Sequence, residues 1–181
     1  MSRRRRLYAV LLTGGLLSAA PWAATQALFT DSQAVNANTF TTGTVDISTS
    51  PTTALITYAT MAPGDTVTNP MVVTNAGNLA LRYSVSSTAT NTDSKGLKDE
   101  LDLTVKTADV DGGCDDFDGT ELYANDLDGS DGKILGDVAQ GSQSGDRTLA
   151  ASASETLCFR AALPSATGNT FQGATTTATF T

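Results

Sequence analysis

The chain contains no histidine. That absence removes His-ligated zinc, the Ser-His-Asp and Cys-His nucleophile systems, and imidazole pH switching. The Asp-Thr/Ser-Gly loops of aspartyl dyads are also missing. No apolar run exceeds the Leu7–Ala20 stretch, which is short of a stable membrane span, so no membrane segment is expected in the mature chain. Basic side chains are scarce, with eleven Lys and Arg against nineteen Asp and Glu, and four of the eleven are Arg3, Arg4, Arg5 and Arg6. Without those four the net charge falls from −8 to about −12. Such a surface repels nucleic acid and anionic lipid and attracts divalent cations. It also keeps copies apart at low salt, so self-association should be helped by salt or protons. Aromatics are only 6% of the chain, while Thr, Ser, Ala and Gly abound, which suits short strands and surface loops rather than helices.

What is present begins with a leader. Ser2–Arg6 form a basic n-region, Leu7–Ala20 an apolar h-region, and Pro21 breaks the helix. Thr25-Gln26-Ala27 puts small residues where a signal peptidase reads, so cleavage is expected between Ala27 and Leu28. An uncleaved N-terminal anchor is the competing reading. The chain therefore divides into a helical signal peptide, 1–27, and one secreted domain, 28–181. Its length supports one real core but not comfortably two.

Within the domain, Leu28, Phe29, Val35 and Phe40 space apolar side chains along a leading segment that is either a strand or a free arm. Thr44–Ser48 alternates and reads as a half-buried strand. Ala54–Ala59 is the next strand candidate. Pro63-Gly64-Asp65 suits a type II turn, with Asp65 accepting local N–H groups rather than binding metal. Val67–Thr74 is a strand whose Pro70 suggests an edge or bulge. Asn75–Asn78 reads as a hairpin loop, and Leu79, Leu81, Tyr83 and Val85 share one face of the return strand. Leu101, Leu103 and Val105 alternate after a helical turn near Lys98–Glu100. Leu157, Phe159 and Ala161 alternate in a late strand, and Gly173–Thr181 does so at the end. Seven to nine short strands with turns between them predict an all-β fold, an antiparallel sandwich of Ig-like or jelly-roll type.

Residues 109–137 stand apart, with ten acidic residues, one Lys and six glycines, and read as an acidic loop. The functional reading is Ca²⁺, since Asp126, Asp128, Ser130 and Asp137 fall at positions 1, 3, 5 and 12 of an EF-hand-like spacing. The competing reading is a solvated loop pinned by Cys114, because position 6 is Asp131 instead of Gly and no helices flank it. Cys114 and Cys158 are an even pair in an exported chain and are expected to form a disulfide. No other cofactor is expected.

Ala24–Asp31, Asn38-Thr39-Phe40 and Gly43–Ile47 together resemble the start of the camelysin/TasA family. Met61–Asp65 and Val72–Leu79 resemble that family's Leu-x-Pro-Gly-Asp and Asn-x-Gly-x-Leu stretches. The resemblance spans about residues 20–88 and thins beyond. It implies export through a dedicated SipW-type signal peptidase and a place among extracellular fibres of a biofilm matrix. Camelysin itself is described as a metalloprotease, which the missing histidines argue against. The resulting expectation is a non-enzymatic surface or matrix protein that pairs with itself or with other matrix proteins by β-strand addition. A Ca²⁺-stabilised binding module is the alternative, and a camelysin-like metalloprotease a remote one.

Overall fold

A pleated strand turns every second side chain to one face, and three stretches of this chain use that period to build one buried surface. Met71 and Val73, Leu103 and Val105, and Leu157, Phe159 and Ala161 are all buried, and they lie on three neighbouring strands. The computed structural model describes residues 41–181. The leader, the Ala27–Leu28 cleavage site and the arm residues Leu28, Phe29, Val35 and Phe40 lie outside the described residues.

The strands are β1 (Ile47–Ser50), β2 (Thr66–Asn75), β3 (Leu81–Tyr83), β4 (Val85–Ala89), β5 (Asp102–Thr107), β6 (Glu121–Asn125), β7 (Lys133–Leu135), β8 (Arg147–Leu149), β9 (Ser154–Ala162) and β10 (Ala178–Phe180). One helical turn, α1 (Leu97–Glu100), precedes β5. The larger sheet has the order β1-β2-β9-β5-β6, and every pairing in it is antiparallel. Opposite it lie β10-β4-β7 and the short pair β3-β8. Leu81, Val85, Ile134, Leu135 and Leu149 from these pieces join the β2, β5 and β9 residues in one core. Phe159 and Phe180 meet edge to face across it, with centroids 5.2 Å apart. No described helix is long and apolar enough to cross a membrane.

The strand at Leu101–Val105, the late strand at Leu157–Ala161 and the helical turn are where the alternation and spacing place them. Four expectations need correction. Ala54–Ala59 is not a strand: it has no ladder partner, and the adjacent Leu55 and Ile56 both turn partly inward. Asn75–Asn78 does not join a hairpin, because β2 pairs with β1 and β9 while β3 pairs with β8. The loop carries the chain from one layer to the other. Its pin is the fully buried Asn75, whose Nδ2 donates to the carbonyls of Leu79 (2.8 Å), Ala150 (3.0 Å) and Leu149 (3.3 Å) while Oδ1 accepts from Gly77 N–H (3.0 Å). A Cβ at Gly77 would run into the Thr44 carbonyl, so the Asn-x-Gly spacing serves close backbone approach.

Residues 109–137 are not one loop but hold β6 and β7, whose short apolar runs Leu122-Tyr123-Ala124 and Ile134-Leu135 are hidden among carboxylates. Finally, β1 begins at Ile47 rather than Thr44, and all four of its residues are exposed. It covers only Val72–Asn75 of β2. Pro70 lies beyond that cover, so its missing N–H disturbs no second ladder.

Candidate functional site

Two places collect residues with functional potential. The first is a groove of about 770 Å³ at one end of the sandwich. Its floor is apolar: Val67 of β2, Leu101, Leu127, Ala161, Leu163 and Phe180. One wall is Thr167–Ala178, tied down by backbone and side-chain bonds such as Thr175 N–H to Asp93 (2.7 Å) and Thr177 N–H to the Thr90 hydroxyl (2.9 Å). The other wall is Ala54–Met61. It rises between Pro51 and the Pro63-Gly64-Asp65 turn. That turn is closed by Asp65 N–H to the Ala62 carbonyl (2.9 Å), and Gly64 sits at φ +95°. Asp65 Oδ2 accepts from Ala62 N–H (2.8 Å) and from the Tyr58 hydroxyl (3.2 Å). Its carboxylate therefore acts as a turn anchor. The hydrogen bond to Asp65, and then its charge, raise the Tyr58 phenol above its ordinary range.

The second place is acidic. Asp126 and Asp128 come together with Asp99 of α1, their carboxylates within 4.8 Å of one another. Nothing in the sequence pattern joined Asp99 to the other two, since only the fold brings α1 beside that turn. Asp137 is not part of the group. It accepts from Lys133 Nζ (2.6 Å) and Ala139 N–H (2.8 Å). Ser130 opens a 3-10 turn, Ser130–Gly132. Asp126 Oδ1 is used by Gly129 N–H (2.8 Å). Lys98 Nζ lodges between Asp99 (2.7 Å) and Asp128 (2.9 Å). Its bonds to Asp99 and Asp128 raise its pKa and hold it as the ammonium. Tyr123 donates to the Asp126 carbonyl (2.8 Å), and burial, with the charges of Asp126 and Asp128, pushes its phenol up to about 12.

On β9, Cys158 forms a disulfide with Cys114, 44 residues away in the chain. With Phe117 they make a small core of their own, separate from the main one. That is why β9 is buried on both faces at Cys158. The Arg160 guanidinium lies 3.7 Å from the Phe117 ring centroid and Lys106 Nζ 4.8 Å. Buried Asp109 accepts from the N–H groups of Asp116 and Asp118, both at 3.0 Å.

A family model described as camelysin metallo-endopeptidase matches residues 4–134, more than half of the chain. The curated proteins hold no match. The description raises a peptidase metal, which takes three side-chain ligands and keeps one position open to water. Without histidine, the ligands would have to be carboxylates or thiolates. Both thiols are spent in the disulfide. Among the described residues the single clustered carboxylate trio holds an ammonium between two of its members. These residues do not fit a hydrolytic metal, and no step through one follows from them.

Proposed function

The chain belongs to the camelysin family, and from that premise we propose that it is an exported structural protein of the cell surface or matrix. It works by contact, not by catalysis. The arm freed at Leu28, carrying Leu28, Phe29, Val35 and Phe40, adds as a strand to an open sheet edge of the next copy. A head-to-tail contact of this kind does not close on itself and produces filaments.

The observation that carries this reading is the half-paired β2. Val72–Thr74 have ladder partners on both sides, whereas Thr66–Met71 have one only, in β9, among the described residues. An unpaired strand flank is a template for another chain. It lies beside a groove whose floor is apolar, which suits the four apolar anchors. The disulfide agrees with an oxidising, extracytoplasmic setting.

Electron microscopy of protein collected from culture supernatant tests the reading, set against a variant lacking residues 28–40. Filaments are expected from the first and not from the second, in greater number as salt screens the mutual repulsion of acidic copies. Equal filament formation by both would remove the arm from the mechanism.

A further inference from the structure

Copies of an acidic protein repel one another least where carboxylates are fewest. In this chain charge is unevenly spread. Residues 82–181 carry sixteen acidic and seven basic side chains, whereas residues 41–81 carry Asp46 and Asp65 alone. Asp65 is committed to its own turn. The nearly uncharged part includes β1, which ends the larger sheet on one side. The sheet ends on the other side in β6, which opens with Glu121 and runs on into Asp126 and Asp128. Charge of that kind guards an edge against pairing with another chain. The β1 edge has no such guard.

The backbone shows which groups that edge offers. Thr44 and Asp46 turn their carbonyls to the loop after β2, where they accept from the N–H groups of Asn78 (3.1 Å) and Ala76 (2.8 Å). Alternation along an antiparallel strand turns the intervening residues the other way. Val45, Ile47 and Thr49 therefore aim their N–H and C=O groups away from β2. Among the described residues no strand lies there to receive them. The side chains are uncovered as well: Val45 is 64% exposed and Ile47 47%. Leu79, whose N–H also reaches the Thr44 carbonyl (3.4 Å), is 47% exposed beside them.

We propose that β1 pairs antiparallel with β1 of a second copy, about a two-fold axis at Ile47. Chemistry selects this register from its neighbours. Centring on Asp46 would set two carboxylates face to face. Centring on Ser48 would set Val45 opposite Pro51, which has no N–H to give. Centring on Ile47 sets Ile47 opposite Ile47, Val45 opposite Thr49 and Asp46 opposite Ser48, and forms about six hydrogen bonds between the copies. Each open edge then satisfies the other. The contact is isologous and closes at two, so it is separate from the head-to-tail contact of the arm and does not rest on it. A patch this short gives a weak dimer, strengthened as salt screens the carboxylates elsewhere on the two copies.

Thiol cross-linking reads the register. Both native cysteines are held in the disulfide, so an introduced one reports alone. Opposed residues of a hydrogen-bonded antiparallel pair have Cα atoms about 5.5 Å apart, within reach of a disulfide. Secreted Ile47→Cys protein should link into a covalent dimer on mild oxidation. Val45→Cys and Thr49→Cys proteins should link poorly alone and readily when mixed. In sedimentation equilibrium Ile47→Lys, which sets two ammonium groups on the axis, should weaken the dimer about tenfold or more. Its melting temperature should stay within about 2 °C of wild type, since the position is half exposed. No covalent dimer from Ile47→Cys at low or high salt, or equal linking by Val45→Cys alone and by the mixture, would overturn the proposal. Filaments without the Ile47 link would sink this contact and leave the arm standing. The Ile47 link without filaments would do the reverse.

Discussion

Pro51–Met61 and Asp109–Gly119 are loops of equal length, eleven residues each, and they are built on opposite plans. The first is apolar and makes no backbone-to-backbone bonds among the described residues. The second is a run of carboxylates and glycines, yet it is held by a disulfide, by a buried carboxylate, and by an aromatic ring under two cations. Composition would rank them the other way, since apolar segments are expected to pack and acidic ones to float. What decides is where each loop's polar groups are satisfied. The acidic loop is finished by residues of its own domain, from β5 and β9, whereas the apolar one leaves its backbone groups without backbone partners among the described residues.

The sharpest way to break this contrast is to remove the staple. Replacing Cys114 and Cys158 by Ala should lower stability by about 4 kcal/mol on the chain-entropy model for a loop of this separation. Exchange at 109–119 should rise while exchange at 54–60 stays as it was. Chemical denaturation of the double variant measures the first and mass spectrometry the second. A loss below about 1 kcal/mol would mean that the loop is held by its non-covalent contacts alone.

Those contacts come next. Phe117 is buried at a positive φ of 53° with Arg160 and Lys106 over its ring. Phe117→Ala should cost about 3 kcal/mol, at the lower end for a buried aromatic because the ring sits in a small core of three residues, and the alanine Cβ leaves the positive-φ strain in place. Thermal melts at matched pH read it out.

Acid gives a smaller and directional effect. Burial by itself would raise the Asp109 carboxyl, but the N–H groups of Asp116, Phe117, Asp118 and Gly119 outweigh it and hold the group below its ordinary range. A carboxyl depressed in the folded state stabilises fully above its unfolded pKa, and the contribution disappears as pH falls through the folded value. Amide exchange at 116 and 118 should therefore accelerate, relative to the intrinsic rate, only below the usual carboxylate range. Acceleration beginning near pH 6 would place the trigger on another group.

These contrasts also explain which parts of the molecule were legible in the sequence. Strands β5 and β9 were readable because burial on one face writes an alternation, and Leu103, Val105, Leu157 and Phe159 keep it. Cysteine arithmetic indicated the disulfide. The Asn75-x-Gly77 stretch was recognisable as a turn, but its partners were not. Asn75 reaches carbonyls at Leu149 and Ala150, far along the chain, and turn chemistry is local. Strand periodicity likewise reports a preference for extended backbone and is silent about whether a neighbour exists. That is how Ala54–Ala59 came to look like a strand. The Asp99, Asp126 and Asp128 group was invisible for the same reason, and the Lys98 ammonium that closes it sits next to one member and distant from the others.

The smallest expected effect lies in the Pro51–Met61 loop, and it is the most discriminating for that reason. Tyr58 is half exposed and makes one polar contact, through its hydroxyl to Asp65. Asp65 keeps its bond from Ala62 N–H without it, and the turn keeps its backbone closure. Tyr58→Phe should therefore move the melting temperature by less than about 2 °C, as expected for a surface change that leaves no buried group unpaired. The phenol titration should lose one of its raised components, that of Tyr58, while Tyr123 keeps its own. A drop of several degrees would mean that this hydrogen bond fastens the loop. The loop that looks unfinished would then be closed within its own chain, and its difference from the acidic loop would be one of chemistry instead of completeness.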